Sequence, residues 1–253
     1  PPQRGPQPTP PPSADSLYCI TSTVVSRYNP LYETLPEFNA LLGAQPEALA
    51  DFNHPFSEGA FYDFAYEPAA APQMCLLEVG NGSELYRQYY TFEGQWIRAL
   101  IAGWRVAPAN NSDTENAYWG ADTAHRTGLV APALTQTDLV EALRARRVFA
   151  TEDSNLALTL RGGRTWMGSV ISNSTTLTFT INALDLDLVS EPITLTLYDR
   201  TLPVTSATFT TPPTEWTLAV PGQPGHFYWA RAVQADGDVA QTAPIWTEGT
   251  PLP

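Results

Sequence analysis

The chain contains no lysine: all 13 of its bases are arginine, set against 26 acids for a net charge of −13 over 253 residues. Such an acid excess argues against nucleic acid or an anionic membrane as the main partner, because both are held by clustered cations that release counterions. Cysteine is scarce. Cys19 and Cys75 are too few for a disulfide framework and leave either one disulfide or two buried thiols. No apolar run reaches the ~18 residues of a membrane span, and the N-terminus lacks the charged-then-apolar layout of a secretory leader. What is present is a globular composition, 43% hydrophobic and 11% aromatic, which excludes wholesale disorder. At roughly 150 residues per domain, the length suits one large or two ordinary domains.

Three regions follow one another. Residues 1–14 hold seven prolines and predict an extended polyproline II arm laid against its own domain or a neighbouring chain. Residues 15–153 predict an α/β domain. Leu17 to Ser26, Leu49 to Asn53 and Met74 to Val79 read as strands, with an aromatic loop from Phe56 to Tyr66 between the last two. Leu85, Tyr89, Phe92, Trp96 and Leu100 recur at steps of three and four, which predicts a helix over 84–102 stopped by Gly103. Thr135 predicts the cap of a second helix ending in Arg144, Arg146 and Arg147. From 154 to 253 the pattern changes to short alternating runs, beginning with Leu156, Leu158 and Leu160 and punctuated by Gly, Pro, Asn and Asp. This predicts an all-β, antiparallel sandwich of immunoglobulin-like type.

Residues suited to chemistry are few. His54 stands at a strand end before a proline, where an imidazole can serve a metal or a structural hydrogen bond. Asp113 and Glu115 are two apart on a polar segment, so extended backbone turns both carboxylates to one side. They suit a divalent cation, acid–base work, or plain solvation. Arg126 is a candidate anion binder or ion-pair partner. Glycosylation sequons begin at Asn81, Asn110 and Asn173. Phosphate-binding loops, dinucleotide glycine patterns, nucleophile elbows and zinc-type cysteine pairs are lacking.

Several strings in order carry a resemblance: Asn53-His-Pro-Phe56, Leu77-Glu-Val-Gly-Asn-Gly82, Gly103-Trp-Arg-Val-Ala-Pro-Ala-Asn-Asn-Ser-Asp113, Arg126-Thr-Gly128, the run Ala142 to Leu156, and Trp166-Met-Gly168. Over about residues 17–246 the chain resembles secreted bacterial proteins of the PHP (polymerase and histidinol phosphatase) superfamily. The resemblance implies a metal-dependent phosphoesterase scaffold: a seven-stranded α/β barrel followed by a β-sandwich, secreted or at the cell surface.

The departures from that family concern its metals. Members open with a His-x-His strand and add further His, Asp and Glu ligands for two or three ions, whereas this chain has three histidines in all, His54, His125 and His226. The resemblance carries over His54 and Asp113 as ligands, with Glu115 standing where the family has a histidine. That implies either no cofactor or one weakly bound Zn, Mn or Fe ion. The opening of the barrel is also missing, the proline arm taking its place. The expected function is therefore a non-catalytic PHP-like protein with a structural or interaction role, meeting a protein partner or assembling as a homo-oligomer or filament through the arm. Two alternatives stand beside it: the C-terminal part of a processed phosphoesterase, and a glycan-binding module using Trp216, Tyr228 and Trp229.

Overall fold

The computed structural model describes residues 17–19, 35–56, 60–83, 88–114, 117, 120–185, 191–210 and 214–249. The proline arm, most of the strand expected at 17–26, and Glu115 lie outside the described residues. In the first half, β1 (Leu17–Cys19), α1 (Leu35–Gly43), β2 (Ala50–Phe52), a single helical turn α2 (Ala60–Phe64), β3 (Met74–Ser83), β4 (Gln88–Thr91), α3 (Glu93–Ile101) and β5 (Ala107–Asn111) follow in order. Next come β6 (Arg126–Leu129), α4 (Gln136–Arg144) and β7 (Val148–Thr151). The remainder is all strand: β8 (Leu156–Gly162), β9 (Thr165–Trp166), β10 (Val170–Ile171), β11 (Thr176–Asp185), β12 (Ile193–Asp199), β13 (Leu202–Phe209), β14 (Thr214–Pro221), β15 (Phe227–Gln234), β16 (Val239–Thr242) and β17 (Ile245–Thr247). The protein is β-rich, with open mixed sheets.

Strand β3 organises the first sheet. All ten of its residues are buried, as a near-continuous apolar run requires when both faces are covered. It runs parallel to β2 on one side and to β5 on the other, and β4 pairs antiparallel with its last residues, Gly80 to Ser83. The helix expected over 84–102 is shorter. Gln88 to Thr91 form a strand, because Tyr89, Tyr90 and Thr91 suit a pleated surface and have β3 beside them to pair with. The expected cap on α4 is present: the Asp138 N–H donates to Thr135 Oγ1 at 3.2 Å.

A four-stranded sheet (β14-β11-β8-β9) packs against an eight-stranded one. Alternating inward residues fill the gap, among them Leu158 and Leu160 of β8, Phe179 and Ile181 of β11, and Leu195 and Leu197 of β12. The eight-stranded sheet runs across the boundary expected at residue 153. Its order, β10-β17-β15-β16-β7-β6, pairs β7 with β16, Phe149 opposite Thr242. The second core is shared in the same way. Phe52, Phe61, Phe64, Trp96 and Trp104 from the first half pack with Phe227, Trp229 and Trp246 from the last strands.

Burial of so much aromatic surface also fixes an unusual turn. Phe61, Tyr62, Asp63 and Phe64 all have positive φ, between 48° and 59°, the left-handed region that disfavours side chains with a Cβ. Phe61 and Phe64 are each 1% exposed, and their rings lie 4.8 and 5.7 Å from that of Phe52. The Asp63 carboxylate pairs with Arg98.

Of the two states open to Cys19 and Cys75, the disulfide does not form: Cys75 is a free, buried thiol. Cys19 lies opposite Ala50, and Ala50 opposite Met74, so β2 separates the two cysteines. Two strand spacings place their Cα atoms about 9–10 Å apart, beyond the ~4.4–6.8 Å that a disulfide spans.

Candidate functional site

The parallel strands β2, β3 and β5 deliver their carboxyl ends to one cleft, the location where open α/β sheets hold ligands. It encloses about 500 Å³ and is lined by Asn53, Glu78, Asn110 and Asn111, then by Asp113, Thr114, His125, Arg126 and Thr127. The sequence order Asn53, Asp113, Arg126 is thus gathered in space. Gly80 keeps the strands close: a Cβ there would collide with the Tyr89 hydroxyl and with Asn110 Oδ1.

Two carboxyl groups sit beneath the cleft, and sequence reasoning assigned neither a role. Glu78 is 2% exposed. The Asn81 and Asn111 amides donate to its Oε1, each at 2.9 Å, and the His54 backbone N–H donates to Oε2 at 2.5 Å. Burial pushes the Glu78 carboxyl above the usual carboxylate range, and these hydrogen bonds pull partly against it. Asp51, on β2, is driven well above that range, first by complete burial and second by the charge of Glu78, with a hydrogen bond from Asn111 opposing. Asp51 Oδ1 has no hydrogen-bond partner. The signal for Glu78 was present in the sequence: a lone acid inside Met74-Cys-Leu-Leu-Glu-Val79 cannot be buried without donors.

Each expected site residue among those described has a definite place. His54 follows the cleft-lining Asn53, has φ 34°, and is bound to Glu78 through its main chain. Asp113 lies in the wall, also at positive φ, 53°. Arg126 staples its own loop: Nη1 donates to the Thr123 and His125 carbonyls at 2.7 and 2.6 Å, and Nη2 to the Gly120 carbonyl at 2.9 Å. Three of its five N–H groups are thus committed to holding the loop, and the side chain lines the cleft.

His125 packs against Tyr89 in a tilted arrangement, with ring centroids 4.0 Å apart. The remaining histidine, His226, is paired through Nδ1 with Asp199 at 2.6 Å, away from the cleft. Of the aromatics considered for glycan binding, Tyr228 and Trp229 are each 1% exposed. Trp229 is stacked on Tyr198 at 4.4 Å and donates to the Arg200 carbonyl, while Trp216 packs on Phe209. Tyr228 and Trp229 are thus core residues closed to a sugar, while Trp216 is half-buried against that core.

The donor set does not fit the metal centre that the family resemblance implies. Both Glu78 oxygens already accept N–H groups. Among the described residues, no three His, Cys, Asp or Glu side chains gather so as to hold an ion.

No family model matches the chain. No curated protein matches it. Among solved structures it is similar to an engineered protein, with 14% identity over 36% of this chain and 20% of that one, at a TM-score of 0.25. The chain thus spans about a fifth of that protein's length, and a likeness so shallow carries no argument about fold or function.

Proposed function

We propose that this chain is a non-catalytic relative of the PHP phosphoesterases: a partial α/β barrel joined to an immunoglobulin-like sandwich, secreted or at the cell surface, that binds instead of hydrolysing. The observation that carries the reading is the state of Asp51 and Glu78. Two-metal hydrolysis needs carboxylates with open lone pairs facing a pair of ions about 3.5–4 Å apart. Glu78 has its oxygens engaged by the amides of Asn81 and Asn111 and the N–H of His54, and burial raises the Asp51 carboxyl well above the usual carboxylate range. Amide N–H groups, in place of cations, occupy the Glu78 carboxyl. What is left is a polar cleft suited to hold a ligand or a partner's segment without turning it over.

Elemental analysis after equilibration with Zn²⁺ or Mn²⁺ tests this. Less than one tightly held ion per chain is expected, with phosphodiester hydrolysis at background and unaffected by Asp113→Ala. Two or more retained ions, or turnover abolished by that substitution, would overturn the reading. The interaction role has its own measurement. Deleting residues 1–12 should lower the assembly size seen by light scattering while circular dichroism stays unchanged, and an unaltered mass would remove the arm from the proposal.

A further inference from the structure

A second cavity opens at the other end of the parallel strands. The cleft lies beyond the carboxyl ends of β2, β3 and β5, whereas this cavity adjoins their amino ends, beside Arg105, two residues before β5, and Arg146, which reaches the first residue of β3. It encloses about 810 Å³, a volume typical of small-molecule sites. Its lining shares no residue with that of the cleft.

The lining has two parts. One is apolar and aromatic, with Tyr66, Leu100 and Ile101 from the first half of the chain and Phe227 and Trp246 from β15 and β17. Tyr66 is steadied edge-on against Trp104, ring centroids 5.2 Å apart. The other part is cationic: Arg105, Arg144 and Arg146 line the cavity, and no Asp or Glu does. In a chain with twice as many acids as bases, this is a local reversal of charge.

The three guanidinium groups are placed but poorly neutralised. Arg146 donates to the carbonyls of Arg105, of Arg144 at 3.3 Å and of Met74 at 3.1 Å. Those bonds use three of its five N–H groups and leave two. They fix the side chain without cancelling its charge, and among the described residues no acid pairs with Arg146 or with Arg105. Burial pulls the Arg146 pKa below the usual arginine value, and the like charge of Arg105 pulls the same way, with Cys75 opposing. Arg144 meets Glu47 at 3.3 Å and Glu141 at 3.9 Å, but both acids are exposed, and such pairs contribute little. Like charges gathered in a concave, partly dry place repel one another, and an anion among them relieves the cost.

We infer that this cavity binds an organic anion, a carboxylate carried on a flat apolar body, with the carboxylate among Arg105, Arg144 and Arg146 and the body against Tyr66, Phe227 and Trp246. The planar fork of a guanidinium matches a carboxylate bidentately. A bare inorganic oxyanion would satisfy the arginines and leave the aromatic lining wet, so the apolar body is part of what the site selects. The site goes beyond the reading of the cleft and stands or falls without it.

Titration of the whole chain with 1-naphthoate and with its neutral counterpart 1-naphthamide, followed by NMR, tests the inference. Naphthoate should bind with a Kd of about 1 mM or tighter, and the amide about tenfold more weakly, since it forms no charge-assisted bond to arginine. Arg105→Gln combined with Arg144→Gln leaves Arg146 and its carbonyl partners in place. It should weaken naphthoate binding about tenfold while Tm stays within ~2 °C, because both side chains reach solvent. Ile101→Glu, at a position 40% exposed, is the second variant: an acid at the rim should weaken naphthoate and leave the amide unchanged. Absent binding, equal affinity for acid and amide, inorganic phosphate bound as tightly as naphthoate, or undiminished naphthoate binding in the folded variants would overturn the site.

Discussion

Replacing the Asp51 carboxyl by an amide, in Asp51→Asn, should uncouple part of the protein's stability from pH. The carboxyl is fully buried on β2, is raised well above the usual range by that burial and by Glu78, and has an oxygen without a partner. Below pH ~4 the group is protonated in both folded and unfolded chains and contributes nothing. As pH rises through the unfolded value of ~3.9, the unfolded chain releases its proton while the folded one keeps it. Stability then falls by up to about 1.4 kcal/mol per pH unit, until pH passes the raised folded value. The amide has no proton to lose in this range, so the variant escapes this slope. Near pH ~4 the two proteins should differ by no more than about 1 kcal/mol, since an amide is close in shape to the protonated acid. Between pH ~4.5 and ~5.5 the variant should gain about 1 kcal/mol on the wild type. Urea unfolding across that range measures it, and the slope of free energy on denaturant confirms that both unfold alike. A constant gap would mean that Asp51 titrates the same way in both states, and would contradict the upward shift that burial imposes on it.

Trp229→Ala should cost about 3–5 kcal/mol, because the ring is buried against Tyr198 and Trp96 and its N–H is satisfied by Arg200; a loss under about 1 kcal/mol in denaturant would show that the shared core is not there. Tyr62→Gly should raise stability by up to ~1 kcal/mol, since this half-exposed residue holds φ 55°, whereas Tyr62→Val should lower it; the reverse order of melting temperatures would rule out the left-handed turn. Expressed in a glycosylating host, the chain should carry sugar at Asn173 alone, because Asn81 and Asn110 are 5% and 4% exposed. A mass shift that persists in Asn173→Gln would contradict their burial.

Local chemistry was legible in the sequence, and long-range pairing was not. The Thr135 cap and the alternating leucines of β8 follow from neighbours a few residues away, so α4 and the antiparallel strands of the second half could be read directly. Strand β4 could not. Tyr89 and Phe92 keep a helical step with Trp96, and only the presence of β3 alongside turns Gln88 to Thr91 into a strand. Asp113 and Arg126 were legible as candidates by residue type, whereas their meeting Asn53 around one cleft depends on the parallel pairing of β2, β3 and β5. Glu78 and Asp51 each sit in an apolar run that reads as core, and their setting depends on Asn111 arriving from β5. The boundary expected near residue 153 marked a real change of pattern, yet the pairing of β7 with β16 joins residues some 90 positions apart, a partnership that no local window contains.

That pairing has a consequence for the order of events during synthesis. Translation proceeds at roughly 5–20 residues per second, so β7 emerges several seconds before β16, which must hydrogen-bond along its edge. During that interval β7 offers an open edge and Trp96 lacks the Trp229 ring that later lies 5.1 Å away. The first half can collapse but cannot complete its sheet until residues 239–247 have left the ribosome. Folding of the first half is thereby delayed until those residues have emerged, and a ribosome stalled near residue 153 would display a nascent chain with an exposed strand edge, a natural substrate for chaperones.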